Sequence, residues 1–350
     1  MKRAPVRSAT YEAPPNIALV KYWGVRDPAL GLPFNSSLSV TLDRLRSRTS
    51  VRFEEALSDD EVVLNGSDAG TKETRAVIDL LDRVRARAGL AWHARVRSEN
   101  NFPTASGLAS SASGFAALAG AASAAAGLVL SDRALSQLAR FGSGSASRSI
   151  FGGFVEWQAG RRADGRDCFA RELFPPGHWP ELVDVVAMIE DAPRKEVRSS
   201  VAMQTSVRTS PEYSRRLAEI PARIVRMRRA IRDRDSSALF PLVMEECDSF
   251  RTVCETTRPS LDYLTGASRA VLAEIRELNR AAGRPVAAYT HDAGAHVHVF
   301  TLRRHVRTVR ARLDGTPGVG STMLVRPGPG AHPVPRGSNA RTGRPRRRTA

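Results

Sequence analysis

The spacing of apolar and polar positions changes repeatedly along this chain, and each change marks an element. Between residues 11 and 64 the runs IALVKYW, SLSVTLD and RTSVRFEE are short and β-favouring. Pro14, Pro15, Pro28, Gly31 and Pro33 interrupt that region, which predicts strands separated by turns. From about Gly70 to Ala88 the spacing in VIDLLDRVRARA becomes helical, and AWHARVRSEN after it alternates like a strand. The segment NNFPTASGLASSASGFAALAGAASAAAGL then runs from a Pro- and Gly-bearing loop into an Ala-rich helix that lasts to about Gly127. A short helix in DRALSQLARFG closes at Gly142, and GSGSASRSIFGGFVEW crosses from a small-residue loop into a strand. AGRRADGRD reads as a turn or linker, so a lobe boundary is expected near Gly160 to Gly165.

The second half opens on a strand, ELVDVVAMIE. Helices are expected at about 196–208, 211–233, 235–250 and 261–282, then strands VAAYT and HVHVFTL flanking His291-Asp292-Ala293-Gly294. A helix near 303–313 and a strand near 321–326 follow, and no internal repeat is present. Strands followed by blocks of helices, twice over, predict an α+β chain of two sandwich-like lobes. The expected division is an N-terminal extension (1–10), a first lobe (11–165), a second lobe (166–330) and a disordered basic tail (331–350).

Composition narrows the class. With 350 residues, 42% of them apolar, the chain can bury a sizeable core, and its length suits two lobes. The longest bland run, Ala112 to Leu130, is mostly Ala, Gly and Ser, so no membrane helix is expected. MKRAPVRSATYE lacks the apolar core of a secretory signal, and a cytoplasmic location is the expectation.

The net charge of +17 would suggest a polyanion partner, but only Lys2, Lys21, Lys72 and Lys195 among the 53 basic residues are Lys. The excess is therefore an Arg habit of the whole chain, with six Arg and no acid in residues 331–350. That tail reads as a solvated extension, and nucleic acid is not an expected partner. Cys168, Cys247 and Cys254 lack CxxC spacing and are expected as reduced thiols. His296 and His298 fall on one face of a strand, where packing or hydrogen bonding is the commoner use and metal binding the rarer one.

Four places carry candidate chemistry. Pro103-Thr104-Ala105-Ser106-Gly107-Leu108-Ala109-Ser110-Ser111-Ala112 leads straight into a helix whose first N–H groups are unpaired, which suits either a phosphate cradle or a Ser-capped, closely packed Ala helix. It fits neither GxxxxGK[ST] nor GxGxxG. The loop from Gly142 to Ser149, with Ser143, Ser145 and Arg148, reads equally as an anion pocket or as a flexible connector. Asp292, set between apolar strands, could orient or deprotonate a hydroxyl or simply form an Asx turn. Lys21 is a rare Lys inside an apolar run, as expected where a compact, pKa-adjustable ammonium is needed.

Together APPNIALVKYWGVRD, LPFNSSLSVTLD, NNFPTASGLASSASGFAALA, GSGSASRSIFGGFVEW, RKEVRSSVAMQTSVRTSPEY and YTHDAG resemble the mevalonate diphosphate decarboxylase family of the GHMP kinase superfamily, in order and spacing, over residues 12 to about 300. The resemblance implies a two-lobed GHMP kinase-like fold with mixed sheets, helices packed on them and a ligand cleft between the lobes. It also implies ATP-dependent phosphorylation of a 3-hydroxyl followed by loss of phosphate and CO2, and often a homodimer.

By the same resemblance Asp292, Lys21 and Arg148 are catalytic, with Arg148 on the substrate carboxylate. Tyr22, Ser143, Ser145, Arg75 and Met203 are expected at the substrate. Pro103, Ser106, Gly107, Leu108, Ala109, Ser110 and Ser111 are expected at ATP, with Mg2+ carried by the nucleotide near Ser110.

Two departures bear on the substrate. Val25 stands where the family usually has the second Lys of KYWGK, and Ala295-His296 replaces the usual Pro-Asn after Asp-Ala-Gly. Both are similar to phosphomevalonate decarboxylases. A charge-assisted hydrogen bond is worth roughly 1.5 to 3 kcal/mol, so its loss makes mevalonate 5-phosphate the expected substrate and mevalonate 5-diphosphate the alternative. Arg26, Arg75, Arg194 and Lys195 are the candidates to replace the lost cation. A 3-kinase without decarboxylation and a non-catalytic polyanion binder are the remaining alternatives.

Overall fold

The computed structural model describes residues 6–102, 110–190, 192 and 199–335. The chain starts with β1 (Val6–Ala13) and β2 (Asn16–Val20), the short β3 (Val25–Asp27) and β4 (Leu32–Pro33), then β5 (Ser37–Thr41), β6 (Ser47–Glu54), β7 (Glu61–Leu64) and β8 (Ser67–Asp68). Helix α1 (Thr71–Ala88), strand β9 (His93–Asn100), helices α2 (Ser110–Ala125), α3 (Asp132–Ala139) and α4 (Ala146–Ser149), and strands β10 (Phe154–Trp157) and β11 (Ala170–Phe174) complete the first lobe. The second lobe holds β12 (Leu182–Ile189), α5 (Ser199–Thr209), α6 (Tyr213–Arg232), α7 (Ser236–Thr256), α8 (Gly266–Ala281), β13 (Ala287–Thr290), β14 (Val297–Leu302), α9 (Val306–Asp314) and β15 (Val319–Val325). A last strand, β16 (His332–Pro333), returns to the first lobe.

One sheet runs β16-β1-β6-β9-β7-β8, a second β11-β10-β5-β2, and a third β13-β14-β12-β15. β6 alternates buried and more exposed positions along SRTSVRFE, the period expected of a sheet with one covered face. The cover is α1 and α2. Phe53, Val51 and Val96 of the sheet share a core with Leu80, Leu81 and Val84 of α1 and the alanines of α2. Small side chains let α2 sit close: a Cβ at Gly120 would run into the Tyr11 ring of β1.

The second sheet is covered by the other lobe. Ile17, Leu19, Leu38 and Val40 share one core with Ile220, Ile224 and Met227 of α6, Leu242 and Val243 of α7, and Phe300 of β14. The lobes therefore meet over buried apolar surface, and the end of β2 is carried to the β13–β14 connection.

Three expected boundaries shift. β11 pairs antiparallel with β10, so the proposed break at residue 165 falls inside a hairpin and the first lobe continues to Phe174. Of its two readings, turn or linker, AGRRADGRD takes the first: it is the hairpin loop. Residues 6–10 of the supposed N-terminal extension belong to β1, which pairs with β6 along its whole length. The tail expected to start at 331 begins as structure: Tyr11 pairs with Pro333 and Glu12 with His332, because a strand edge of β1 is open to accept it. Residues 336–350 lie outside the described residues. Among the described residues no helix is long and apolar enough to cross a membrane.

Candidate active site

The site begins where β2 ends. Pairing of β2 with β5 slips between Ala18 and Val20, and such an irregularity re-aims the side chains that follow it. Lys21 folds back, donating from Nζ to the Ala18 carbonyl at 2.7 Å and to Asp292 Oδ1 at 2.9 Å. Its backbone is held as firmly. The Lys21 N–H donates to Glu246 Oε1 at 2.9 Å, and its carbonyl accepts from Asn35 Nδ2 at 3.0 Å and Arg216 Nη2 at 3.1 Å.

Asp292 reaches this point on the turn between β13 and β14. Gly294 N–H and the His291 ring close that turn on the Asp292 carbonyl, both at 2.8 Å. The Lys21 side chain is 3% exposed and that of Asp292 25%, so the carboxylate alone of the pair faces the cleft. Burial works against charge on Asp292, but the charge and hydrogen bond of Lys21, with His298 and Arg148, outweigh it and hold the carboxyl below its usual range. Behind it His298 Nδ1 meets Asp184 Oδ2 at 2.6 Å, and His296 Nδ1 accepts the Ile189 N–H at 3.1 Å. Both histidines thus serve packing and hydrogen bonding.

Arg148 comes from α4. Its Nε donates to Asn16 Oδ1 at 3.0 Å and its Nη1 to Ser37 Oγ at 2.6 Å. Asn16 Nδ2 in turn donates to the Ser145 carbonyl at 3.1 Å and Ser149 Oγ at 2.8 Å, which ties the whole small-residue loop to β2. Ser143 and Ser145 hydroxyls lie 3.1 Å apart on that loop. Gly144 lets it pass beneath Tyr22 and Trp157, since a Cβ there would approach both rings within 2.8 Å. Burial pushes the guanidinium down to about 10, against the pull of Asp292 and Tyr22, so it remains charged at neutral pH. Among the described residues no carboxylate forms an ion pair with Arg148.

The remaining expected residues divide. Tyr22 packs edge-on to Trp157, with ring centroids 4.9 Å apart, and burial raises its phenol pKa. Met203 of α5 lies in one cluster with Trp23, Tyr213, Phe250 and Ala293, the neighbour of Asp292. Arg75 is not brought to the site: it sits on the exposed face of α1, paired with Asp79 at 2.9 Å. Ser110 and Ser111 form the first turn of α2, with Ser110 half-buried. Pro103, Ser106, Gly107, Leu108 and Ala109 lie outside the described residues, as do Arg194 and Lys195. At the departure from KYWGK, Val25 packs against the Trp23–Met203 cluster, while Arg26 turns the other way and donates to the carbonyls of Pro33 and Arg162 at 3.2 and 3.3 Å.

Sequence reasoning passed over Asn16, Ser37, Glu246 and Arg216. Asn16 and Ser37 lay inside quoted motifs. For Arg216 the signal was periodic: Arg216, Ile220, Arg223 and Met227 share the buried stripe of α6, where charge is rare.

Among the described residues no group of three or more His, Cys, Asp or Glu is placed to hold a metal ion. The N–H groups and hydroxyls at the start of α2 instead fit an anion, and so a nucleotide that carries its own metal.

Comparison with known proteins agrees with this geometry. A family model described as diphosphomevalonate decarboxylase-like N-terminal domain matches residues 13–170, and one described as mevalonate 5-diphosphate decarboxylase C-terminal domain matches residues 185–319. A human protein named diphosphomevalonate decarboxylase is 42% identical over 348 residues, covering 93% of this chain and 86% of its own length. The mevalonate diphosphate decarboxylase structure from Staphylococcus aureus has a TM-score of 0.88 at 35% identity, covering 95% of this chain and 99% of that one. A solved complex described as MDDEF with MVAPP, AMPPCP and magnesium has a TM-score of 0.87 at 36% identity, covering 94% and 99%.

Proposed function

We propose that this chain, which belongs to the diphosphomevalonate decarboxylase family, converts mevalonate 5-diphosphate and ATP to isopentenyl diphosphate, ADP, phosphate and CO2. The observation that carries the reading is the Lys21–Asp292 pair together with a buried Arg148 that forms no ion pair among the described residues.

Asp292, ionised and directed at the cleft, orients the substrate 3-hydroxyl and accepts its proton as the γ-phosphoryl group of ATP is transferred. Lys21 keeps that carboxylate charged and offers an ammonium to the developing phosphate charge. Arg148 holds the substrate carboxylate in two parallel hydrogen bonds, with Ser143 and Ser145 beside it, so that departure of the 3-phosphate and loss of CO2 occur from one fixed geometry. ATP and Mg2+ are the cofactors; Ser110 and the first turn of α2 would hold the nucleotide's phosphates, and Mg2+ carried by them would supply charge neutralisation.

The expectation of a monophosphate substrate gives way here. It rested on two departures, the missing cation at Val25 and Ala295-His296 after Asp-Ala-Gly, whereas curated relatives at 39–42% identity are named diphosphomevalonate decarboxylases and the solved neighbours include MVAPP complexes. A diphosphate spreads its charge over several oxygens and can be met by more than one cation, so a single position is weak evidence. Of the four candidate replacements, Arg26 and Arg75 are turned elsewhere, which leaves Arg194 and Lys195 as the sites to mutate.

The deciding experiment is release of CO2 and ADP with ATP and Mg2+, offering mevalonate 5-diphosphate and mevalonate 5-phosphate in parallel. Preference for the diphosphate supports the reading, preference for the monophosphate reverses the substrate, and ADP without CO2 would make the protein a kinase only.

A further inference from the structure

Beneath Lys21 lies a buried cluster of charge that the reaction does not touch. Glu246 of α7 is fully buried, and Arg216 and Arg223 of α6 are 2% and 4% exposed. Arg216 pairs with Glu246 Oε1 and Arg223 with Glu246 Oε2. Arg223 also reaches Glu219 at 3.0 Å and Glu245 at 2.8 Å at the rim.

As a device for stability this cluster is poor. Desolvating three charges costs more than their attraction commonly returns, and a packed apolar trio often does as well or better. Moreover, Nε of Arg216 and Nε of Arg223 are buried with no hydrogen-bond partner among the described residues. Two atoms of the cluster do connect to the site, and both end on one residue: Glu246 Oε1 accepts the Lys21 N–H and Arg216 Nη2 donates to the Lys21 carbonyl. The cluster grips the peptide groups on either side of the Lys21 Cα, at the point where β2 pairing has already slipped.

We propose that Glu246, clamped between Arg216 and Arg223, is a positioning residue that sets where the Lys21 ammonium stands relative to Asp292. A charge gripped on both sides cannot slide along the helix, and its carboxylate fixes the backbone from which the Lys21 side chain departs. The ammonium is thereby held 2.9 Å from Asp292 Oδ1 and not elsewhere in the cleft. Asp292 is also faced by Arg148 from α4, by His298 from β14 and by His291 beside it, and these groups still face it when Lys21 is loosened.

The test reads Asp292 directly, by carbon NMR of its carboxyl as pH is varied in the ligand-free full-length protein. Glu246→Gln is expected to raise the Asp292 midpoint by about half a pH unit or more, because the favourable ammonium is no longer held against it. Asp60→Asn serves as the comparison: it breaks a partly buried ion pair, with Arg85 in the first lobe, and is expected to cost stability without moving Asp292. Should Glu246→Gln fail to fold, Arg216→Lys keeps the charge but not the fork, and the same shift is expected. An Asp292 midpoint unchanged in the folded variant overturns the proposal.

The consequence for turnover rests on the function proposed above and is read separately. In Glu246→Gln, kcat with mevalonate 5-diphosphate is expected to fall about tenfold, with KM for ATP within about twofold and the acid limb of the kcat profile displaced upward. A wild-type protein that fails to turn over that substrate would remove the functional reading and leave the NMR result standing.

Discussion

Two buried cations, Lys21 and Arg148, act on Asp292, and they are treated in opposite ways. Lys21 has its own carboxylate, Asp292, at 2.9 Å. Arg148, buried as deeply, is given neutral partners, Asn16 and Ser37. The first arrangement is closed: the protein completes it, and its product is an aspartate held ionised. The second is open, since a desolvated guanidinium that forms no ion pair among the described residues gains most from a carboxylate that arrives from outside. Under the proposed function, this difference in charge pairing separates the group assigned to chemistry from the group assigned to the ligand.

Breaking the closed pair has the largest expected effect. Asp292→Asn should lower kcat by about 10³-fold or more, since the proton acceptor and orienter is lost, while nucleotide binding at the start of α2 persists. Steady-state kinetics together with ATP titration would show it, and near-normal turnover would refute the assigned role. The variant also leaves Lys21 buried without its counter-charge, so a stability loss of up to about 3–5 kcal/mol is expected in denaturant unfolding.

The open cation should respond in the reverse manner. Arg148→Met removes a charge that forms no ion pair among the described residues, at the expense of unsatisfied Asn16 and Ser37 groups worth about 1 kcal/mol each. Unfolding free energy should change less than for Asp292→Asn, yet CO2 release should fall about 10²-fold. Calorimetry sharpens the point: mevalonate 5-diphosphate at about 100 times its Kd should stabilise the wild type by about 2.7 kcal/mol, and the variant hardly at all. An equal stabilisation of both proteins would place the carboxylate clamp elsewhere.

The neutral neighbours of the pair give a third handle. Burial, with Lys21 adding to it, holds His291 down to about 4, and burial with His298 nearby does the same for His296. Between the ordinary value of 6.5 and about 4 the unfolded chain binds these protons and the folded one does not. Stability is therefore complete above about pH 6.5 and declines as pH falls, by on the order of 1 kcal/mol per pH unit for each histidine. The depressed Asp292 carboxyl adds to the loss only at still lower pH. Urea midpoints from pH 7 to 4.5 would reveal the slope, and His296→Gln should roughly halve it.

Much of this comparison was legible in the sequence, and the exceptions have physical causes. Helical periodicity placed α1 at 71–88 and α6 at 213–232 close to their expected spans, because both present one apolar stripe to a core. Expectation ended α7 at residue 250, yet it continues to Thr256, and β1 was undervalued because VRSATYEA gains its order from pairing with β6 and not from its own hydrophobicity. Lys21, Asp292 and Arg148 stood out as types in unusual places. Arg75 stands outside all six of the family's motifs, and no local pattern told that its side chain lies exposed beside Asp79. Asn16, Ser37 and Glu246 act through backbone and side-chain partners 111 to 225 residues away, and no local pattern encodes such a contact.

The smallest expected effect concerns a third cation, absent from both arrangements. Val25 packs toward the Trp23–Met203 cluster, on the side of the strand away from Arg26. Val25→Lys would direct an ammonium there, and one added charge-assisted contact should raise kcat/KM for the diphosphate relative to the monophosphate by about tenfold. The wild-type preference tells what the change means. If the diphosphate is already preferred and the ratio rises further, the terminal phosphate lies near Val25 and is held incompletely. If the ratio is unmoved, the phosphate's counter-charge comes from another direction, and the same measurement on Arg194→Ala and Lys195→Ala would then lower the ratio in one of them.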